Sequence, residues 1–114
     1  MENKKIKDDK NLKIINDKIN EVIKNKNINL SKIILFGSRA RGDFNYNSDY
    51  DIMILLSDFC SEEMKKNLTK EIRTQLAKMF IDIDIIIISD SEFEEKKDEL
   101  GSVVKYAKKE GIVL

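Results

Sequence analysis

Apolar residues in this chain recur at two spacings, one typical of helices and the other of strands. Over residues 9–26 they are three or four positions apart, which predicts an amphipathic helix. A second helix is predicted over residues 61–80, where Ser61 is a suitable N-cap and two glutamates follow in the first turn. In the helix predicted over residues 9–26, the apolar residues that share one face are Leu12, Ile15, Ile19, Val22 and Ile23.

Short apolar runs between the helices predict three strands, over residues 32–36, 49–57 and 81–89. The long helix between the second and third strands suits a crossover connection. A Ser-x-x-Glu pattern over residues 91–94 predicts a capping box that opens a short charged helix. A last helix is predicted over residues 103–110, ended by Gly111. With no internal repeat and no linker, residues 1–114 are expected to form a single domain, with residues 1–8 frayed.

Composition narrows the chemistry open to this chain. Its 114 residues contain 21 basic and 21 acidic side chains, so no global basic field favours nucleic acid. Histidine is absent and Cys60 is the one cysteine, which excludes Cys/His zinc sites and Ser-His or Cys-His nucleophile pairs. An enzyme built from this chain would rely on carboxylates, Lys/Arg, hydroxyls and a hard metal ion. No signal peptide or long apolar span is found, so a cytoplasmic location without membrane attachment is expected.

The stretch from Gly37 to Asp51 carries the strongest candidate chemistry. Gly37 and Ser38 follow the first predicted strand directly, and a turn at that place can direct backbone N–H groups at a phosphate. Asp49 and Asp51 lie two positions apart at the start of the second strand, so their side chains share a face. Carboxylates beside a phosphate-binding turn are what a Mg²⁺-nucleotide requires.

Two more aspartates, Asp82 and Asp84, lie among the isoleucines of the third predicted strand. Burying an unpaired carboxylate costs several kcal/mol, as an order of magnitude. If the second and third strands are neighbours, three or four carboxylates meet on one face and repel one another unless a divalent cation neutralises them. The oxygen donors point to Mg²⁺ or Mn²⁺. The alternative is that Asp49 and Asp51 form a solvated strand edge and that Asp82 is an end residue.

The spacing Gly37-Ser38, ten residues, Asp49-Tyr50-Asp51 resembles the G-S-x10-D-x-D motif of the polymerase-β superfamily of nucleotidyltransferases. Residues 84–93 and 101–114 are similar to the third-aspartate strand and the tail of the minimal nucleotidyltransferases, the small partners of HEPN-domain toxins. The resemblance implies an α/β fold, a small mixed β-sheet with helices packed mainly on one face.

The resemblance also implies a role for each motif residue. Gly37 and Ser38 would hold the β- and γ-phosphates of ATP. Asp49 and Asp51 would ligate two Mg²⁺ ions, for which Mn²⁺ can substitute. Asp84 would complete the shell of one ion and help to deprotonate the attacking hydroxyl, so that all three aspartates are catalytic and metal-binding residues.

The two arginines of the turn and the second aspartate of the third strand leave alternatives open. Arg39 and Arg41 would contact phosphate, or they belong to a solvated turn beside Asp43. Asp82 shares the face of Asp84, and the distance from Asp84 to the following Ser-Asp-Ser-Glu-Phe fits the family pattern better.

Members of the resembled family act as antitoxins that transfer AMP from ATP to a tyrosine of a partner ribonuclease. The resemblance therefore implies a HEPN-type toxin as the partner in a hetero-oligomer, with no direct binding of nucleic acid. Two alternatives are a non-catalytic antitoxin that neutralises its partner by stoichiometric contact and a nucleotidyltransferase subunit for a small, aminoglycoside-type molecule. Because no second helical domain follows the third strand, we expect either that the acceptor is a separate protein or that a partner chain completes the site.

Overall fold

The computed structural model describes residues 9–114, so the predicted frayed segment, residues 1–8, lies outside the described residues. This part of the chain forms a four-stranded sheet with helices on both faces. The elements in chain order are α1 Lys10–Asn25, β1 Leu30–Phe36, α2 Ser38–Arg41, β2 Tyr50–Leu56, α3 Glu62–Ala77, β3 Ile83–Ser89, α4 Asp90–Lys96, α5 Val103–Glu110 and β4 Ile112–Val113.

The sheet is mixed, with the strand order β3-β2-β1-β4. β1 pairs antiparallel with β2 and with β4, whereas β2 and β3 are parallel and are joined through α3. The predicted crossover connection is therefore confirmed. In register, Asp51 of β2 lies between Phe36 of β1 and Asp84 of β3. The end of β1 and the beginnings of β2 and β3 consequently meet at one end of the sheet.

Each face of the sheet has its own hydrophobic core. The larger core lies under the two longest helices, α1 and α3, and includes Ile52 and Ile54 of β2. The smaller core lies under α5 and includes Met53 and Leu55, the alternate residues of the same strand. The expectation of an α/β fold with helices mainly on one face is confirmed, and the short α5 covers the second face. No helix in residues 9–114 has the length and apolar character needed to cross a bilayer.

Three local features differ from the sequence predictions. The capping box of the fourth helix lies two residues earlier than predicted, because Ser89 accepts from the Glu92 N–H and its own N–H donates to the Glu92 carboxylate. The long helix ends at Ala77, and Phe80 lies beyond it, 96 % exposed with φ of 60°. The two-residue strand β4, beside β1, was not predicted.

Candidate active site

Carboxylates from β2 and β3 converge at the end of the sheet where both strands begin. Asp51 and Asp84 are register partners on these parallel strands, and alternation places them on the face that also carries Met53 and Ile86. Asp49 immediately precedes β2 and is exposed. The Tyr50 N–H donates to the Asp82 carbonyl oxygen at 3.2 Å, which extends the pairing of the two strands to their first residues.

The carboxylates affect one another electrostatically. Partial burial raises the pKa of Asp51 above its usual value, and the nearby charges of Asp84 and Asp49 raise it further. The positive charge of Arg41 lowers the pKa of Asp51, whereas the negative charge of Glu110 raises it. The described residues thus concentrate negative charge around Asp51, an environment that a divalent cation would neutralise.

The donor set fits a hard divalent cation, since every side chain in the cluster offers carboxylate oxygens. Within residues 9–114, however, no three acidic side chains lie close enough together to form a ready-made metal site. The carboxylates of Asp49, Asp51 and Asp84 would therefore have to turn toward an ion as it binds.

Gly37 allows the β1–α2 turn to approach Asp51 closely. Its φ of 73° lies in a region that favours glycine, and ψ of −159° makes the conformation nearly exclusive to glycine. A Cβ atom added to Gly37 would lie 2.2 Å from Oδ2 of Asp51, far inside van der Waals contact. Glycine is thus required at position 37 for two reasons: the backbone conformation of the turn, and the lack of room for a Cβ atom beside Asp51.

The turn after β1 is closed by hydrogen bonds to the Gly37 carbonyl oxygen, whereas the donors of Ser38 take no part in them. The Gly37 carbonyl oxygen accepts from the N–H groups of Ala40 and Arg41, at 3.1 and 3.0 Å, which closes the single helical turn α2. In the described part of the chain, neither the N–H nor the hydroxyl of Ser38 has a hydrogen-bond partner. Both donors remain free to bind an anion.

Glu110, at the end of α5, is a residue of the site that sequence reasoning missed. Its Oε1 accepts from the Gly37 N–H at 3.1 Å and from Nη1 of Arg41 at 3.0 Å. Arg41 also donates to Asp43 at 3.0 Å, and these two carboxylates raise its pKa. No local pattern reveals this contact, because Glu110 lies 73 positions from Gly37.

The Arg39 guanidinium lies on the other side of the turn, where it fixes the loop before β2. Its Nε and Nη2 donate to the Ser48 carbonyl oxygen at 3.1 and 2.9 Å. It also stacks on Phe44 and Tyr50, 4.3 and 4.4 Å from the ring centroids. Nη1 lies 3.9 Å from the Asp9 carboxylate. The structure thus gives this guanidinium several protein partners.

Two hollows adjoin the carboxylates. The larger, about 760 Å³, is bordered by Arg39, Asp49, Tyr46 and Phe80, and the last two side chains are fully exposed at its rim. Below Arg39, the Tyr50 hydroxyl donates to Asp9 at 2.6 Å, and burial together with this bond raises the pKa of Tyr50 to about 12. The smaller hollow, about 380 Å³, lies between the start of β3 and the end of α3.

Comparison with known proteins assigns the family. Residues 17–105 match the family described as "Polymerase beta, Nucleotidyltransferase". A protein of Methanocaldococcus jannaschii, MJ0141, whose name describes it as a candidate protein adenylyltransferase, is 38 % identical over 52 residues, which are 46 % of this chain and 50 % of that protein. The chain thus spans half the length of that curated relative.

Solved structures with the same fold include a chain of a toxin–antitoxin complex and a protein of Sulfolobus solfataricus. A toxin–antitoxin complex solved with AMP-PNP matches with a TM-score of 0.55 and 22 % identity, over 85 % of this chain and 69 % of that chain. A nucleotidyltransferase candidate from Sulfolobus solfataricus matches with a TM-score of 0.53 and 24 % identity, over 90 % of this chain and 77 % of that chain. With the family match over most of its length, the chain belongs to the polymerase β nucleotidyltransferase family.

Proposed function

We propose that this chain is a Mg²⁺-dependent nucleotidyltransferase that moves AMP from ATP to a hydroxyl, that of a tyrosine, on a HEPN-type toxin and thereby acts as its antitoxin. The register pairing of Asp51 with Asp84, next to the Gly37-Ser38 turn, is the observation that supports it most directly. The names of the M. jannaschii relative and of the AMP-PNP toxin–antitoxin complex favour a protein acceptor and ATP.

Asp49, Asp51 and Asp84 would hold the metal, two Mg²⁺ ions or Mn²⁺ in their place. When bound, such ions stabilise the entering and leaving oxygens of an in-line phosphoryl-type displacement. Asp84 is the better candidate than Asp82 for the third ligand, because the register sets it directly beside Asp51. Asp84 would also accept the proton of the attacking hydroxyl as that oxygen forms its bond to the α-phosphorus and pyrophosphate leaves.

The Gly37-Ser38 turn would bind the terminal phosphates through the free N–H and hydroxyl of Ser38. The two arginines contribute differently in this proposal. Arg39 keeps the loop before β2 in place, and its contact with phosphate stays a prediction. Arg41 lies beside the turn but shares its charge with Asp43 and Glu110, so a contact with phosphate requires one of these carboxylates to move away.

A mass measurement of the acceptor tests the proposal. The product of the gene next to that of this chain is incubated, as the candidate acceptor, with ATP, Mg²⁺ and the wild-type chain, and its intact mass is compared with that after incubation with Asp49→Asn/Asp51→Asn. A matched control, Asp17→Asn/Asp98→Asn, makes the same chemical change at exposed positions whose ion pairs contribute little to stability.

We expect the acceptor to gain one or more AMP units with the wild type and the control, but none with Asp49→Asn/Asp51→Asn. A mass gain that persists in Asp49→Asn/Asp51→Asn would refute the assignment of the site. Absence of any gain, with equal neutralisation of the toxin by all three chains, would instead establish the non-catalytic antitoxin. We also propose that the chain works in the cytoplasm as a single domain.

A further inference from the structure

The strand β3 forms an edge of the sheet and leaves one side of its backbone without a strand partner in residues 9–114. It pairs with β2 over seven consecutive residues, from Ile83 to Ser89, without a register shift. Proteins commonly protect such an edge with a bulge, a proline, a very short strand or a covering element. Along β3 in the described chain there is no bulge and no proline, the strand is seven residues long, and Asp84 near its start is its one charged residue.

The edge strand β3 also carries apolar side chains that are only partly buried. β3 contains four isoleucines in succession, and the first two, Ile85 and Ile86, are only half-buried. A long, flat, apolar edge strand is a template for another chain to pair with. The opposite edge is different, because β4 has only two residues, Ile112 and Val113. Strand addition from a partner is therefore favoured at β3.

The helix α3 borders the same edge with a basic face. Lys66, Lys70 and Arg73 follow one another at helical spacing and line a groove of about 560 Å³ together with Ile85 and Ile86. Among residues 9–114 none of these three cations has an ion-pair partner. A ligand that lies along this groove next to the strand should therefore carry negative charge.

We propose that the edge of β3 and the basic face of α3 form a docking groove for an extended, acidic segment of the acceptor protein, which adds to the sheet as a fifth strand. The segment's backbone would pair with β3, and its carboxylates would contact Lys66, Lys70 and Arg73. The identification of the partner with the acceptor rests on the proposed function, whereas the docking itself does not require catalysis.

Charge argues against a second copy of this chain as the occupant. Pairing of two β3 strands about a twofold axis would run them antiparallel and bring two α3 helices side by side on the same face of the joined sheet. The cations Lys66, Lys70 and Arg73 of one copy would then face those of the other, and such like-charge contacts are unfavourable. A single-stranded RNA could use the cations but not the backbone groups or isoleucines of the strand.

The groove also leads toward the carboxylates of the candidate active site. Arg73 and Thr74 line both this groove and the smaller hollow, which contains Asp49 and Asp84. A segment docked along β3 would thus have one end beside the carboxylates to which an acceptor hydroxyl must come. The same contact that recognises the partner would position its acceptor residue.

Docking is tested by NMR titration of the ¹⁵N-labelled chain without nucleotide. The probe is an end-blocked eight-residue peptide of alternating glutamate and valine, and the control peptide replaces glutamate with lysine. Lys66→Glu/Lys70→Glu removes the basic face, and Lys105→Glu/Lys109→Glu makes the same change of net charge on α5. We expect the acidic peptide to shift amide resonances of β3 and α3, and Lys66→Glu/Lys70→Glu to weaken its binding at least about tenfold.

Three results would overturn the inference: no shift in β3 at millimolar acidic peptide, equal shifts with the lysine peptide, or displacement of the peptide by oligouridine RNA that shifts the same residues. Acceptor kinetics separate this proposal from the proposed function. Lys66→Glu/Lys70→Glu should raise KM for the acceptor while leaving kcat and KM for ATP unchanged. Unaltered acceptor kinetics in this variant, with transfer still abolished by Asp49→Asn/Asp51→Asn, would reject the groove and retain the enzyme.

Discussion

Replacing Gly37 with alanine separates the requirements of folding from those of catalysis. The new Cβ would lie 2.2 Å from Oδ2 of Asp51 and 3.0 Å from its Cγ. To regain an acceptable contact, the carboxylate has to move by about 1 Å, and a misplacement of this size at a reacting centre can reduce the rate about 100-fold. The backbone strain of alanine at this φ and ψ costs about 1–3 kcal/mol of stability.

Gly101 offers a matched control on the same chain. Its φ is +78°, but nothing lies within 4 Å of a Cβ added there. Gly101→Ala therefore introduces an alanine at positive φ without the steric contact with a carboxylate. We expect both variants to lose stability, and Gly37→Ala to lose more because its φ and ψ are nearly exclusive to glycine, whereas only Gly37→Ala should lose transfer activity.

Two assays decide the outcome of this comparison. Urea unfolding gives the free energy of unfolding of each variant, and the AMP-transfer rate is measured with the acceptor, ATP and Mg²⁺ well below the unfolding transition. If Gly37→Ala transferred AMP as fast as Gly101→Ala, the close approach of the turn to Asp51 would have no catalytic importance and the reasoning would be wrong.

Substitutions at two positions, Asp51 and Glu110, examine the charges around the Asp51 carboxylate. Because burial and the neighbouring aspartates raise its pKa, the folded chain binds more protons than the unfolded chain between the ordinary and the raised value, and stability falls as the pH rises through that window. At pH 7 we expect Asp51→Asn to raise the melting temperature of the metal-free chain and to reduce the stabilisation by Mg²⁺; equal stabilisation of both chains by Mg²⁺ would contradict this. Glu110→Ala should cost about 1–3 kcal/mol, because the Gly37 N–H loses its acceptor and Arg41 loses a carboxylate. Glu110→Gln keeps an acceptor and should cost less, and an equal loss in urea unfolding would argue against the hydrogen bond.

Much of the fold could be predicted because its elements have regular periods. The spacing of apolar residues located α1 and α3, and the short apolar runs located β1, β2 and β3. Periodicity fails for short elements, so β4 was missed. The position of the capping box was predicted two residues too late because the sequence pattern alone does not say where the preceding strand ends. Ser-x-x-Glu occurs twice, at residues 89–92 and 91–94, and only the position where the strand ends selects the first.

The candidate site was less predictable, because its geometry depends on contacts between distant residues. The motif supplied Asp49 and Asp51, and the register pairing of Asp51 with Asp84 followed once β2 and β3 were neighbours. No local signal indicates the contact of Glu110 with Gly37. The helix predicted over residues 61–80 included Phe80, but the helix ends at Ala77 and leaves the Phe80 ring exposed.

The hydrogen bond between Gly37 and Glu110 has a consequence for the order of events during synthesis. Its two partners are 73 positions apart, so at 5–20 residues per second a ribosome needs roughly 4–15 s to add the second after the first. β1 likewise acquires its pairing with β4 only after Ile112 and Val113 have been made. A nascent chain therefore carries Asp49 and Asp51 for several seconds before the Gly37-Ser38 turn gains its hydrogen bond to Glu110, and we expect transfer activity only after residues 110–113 have left the exit tunnel.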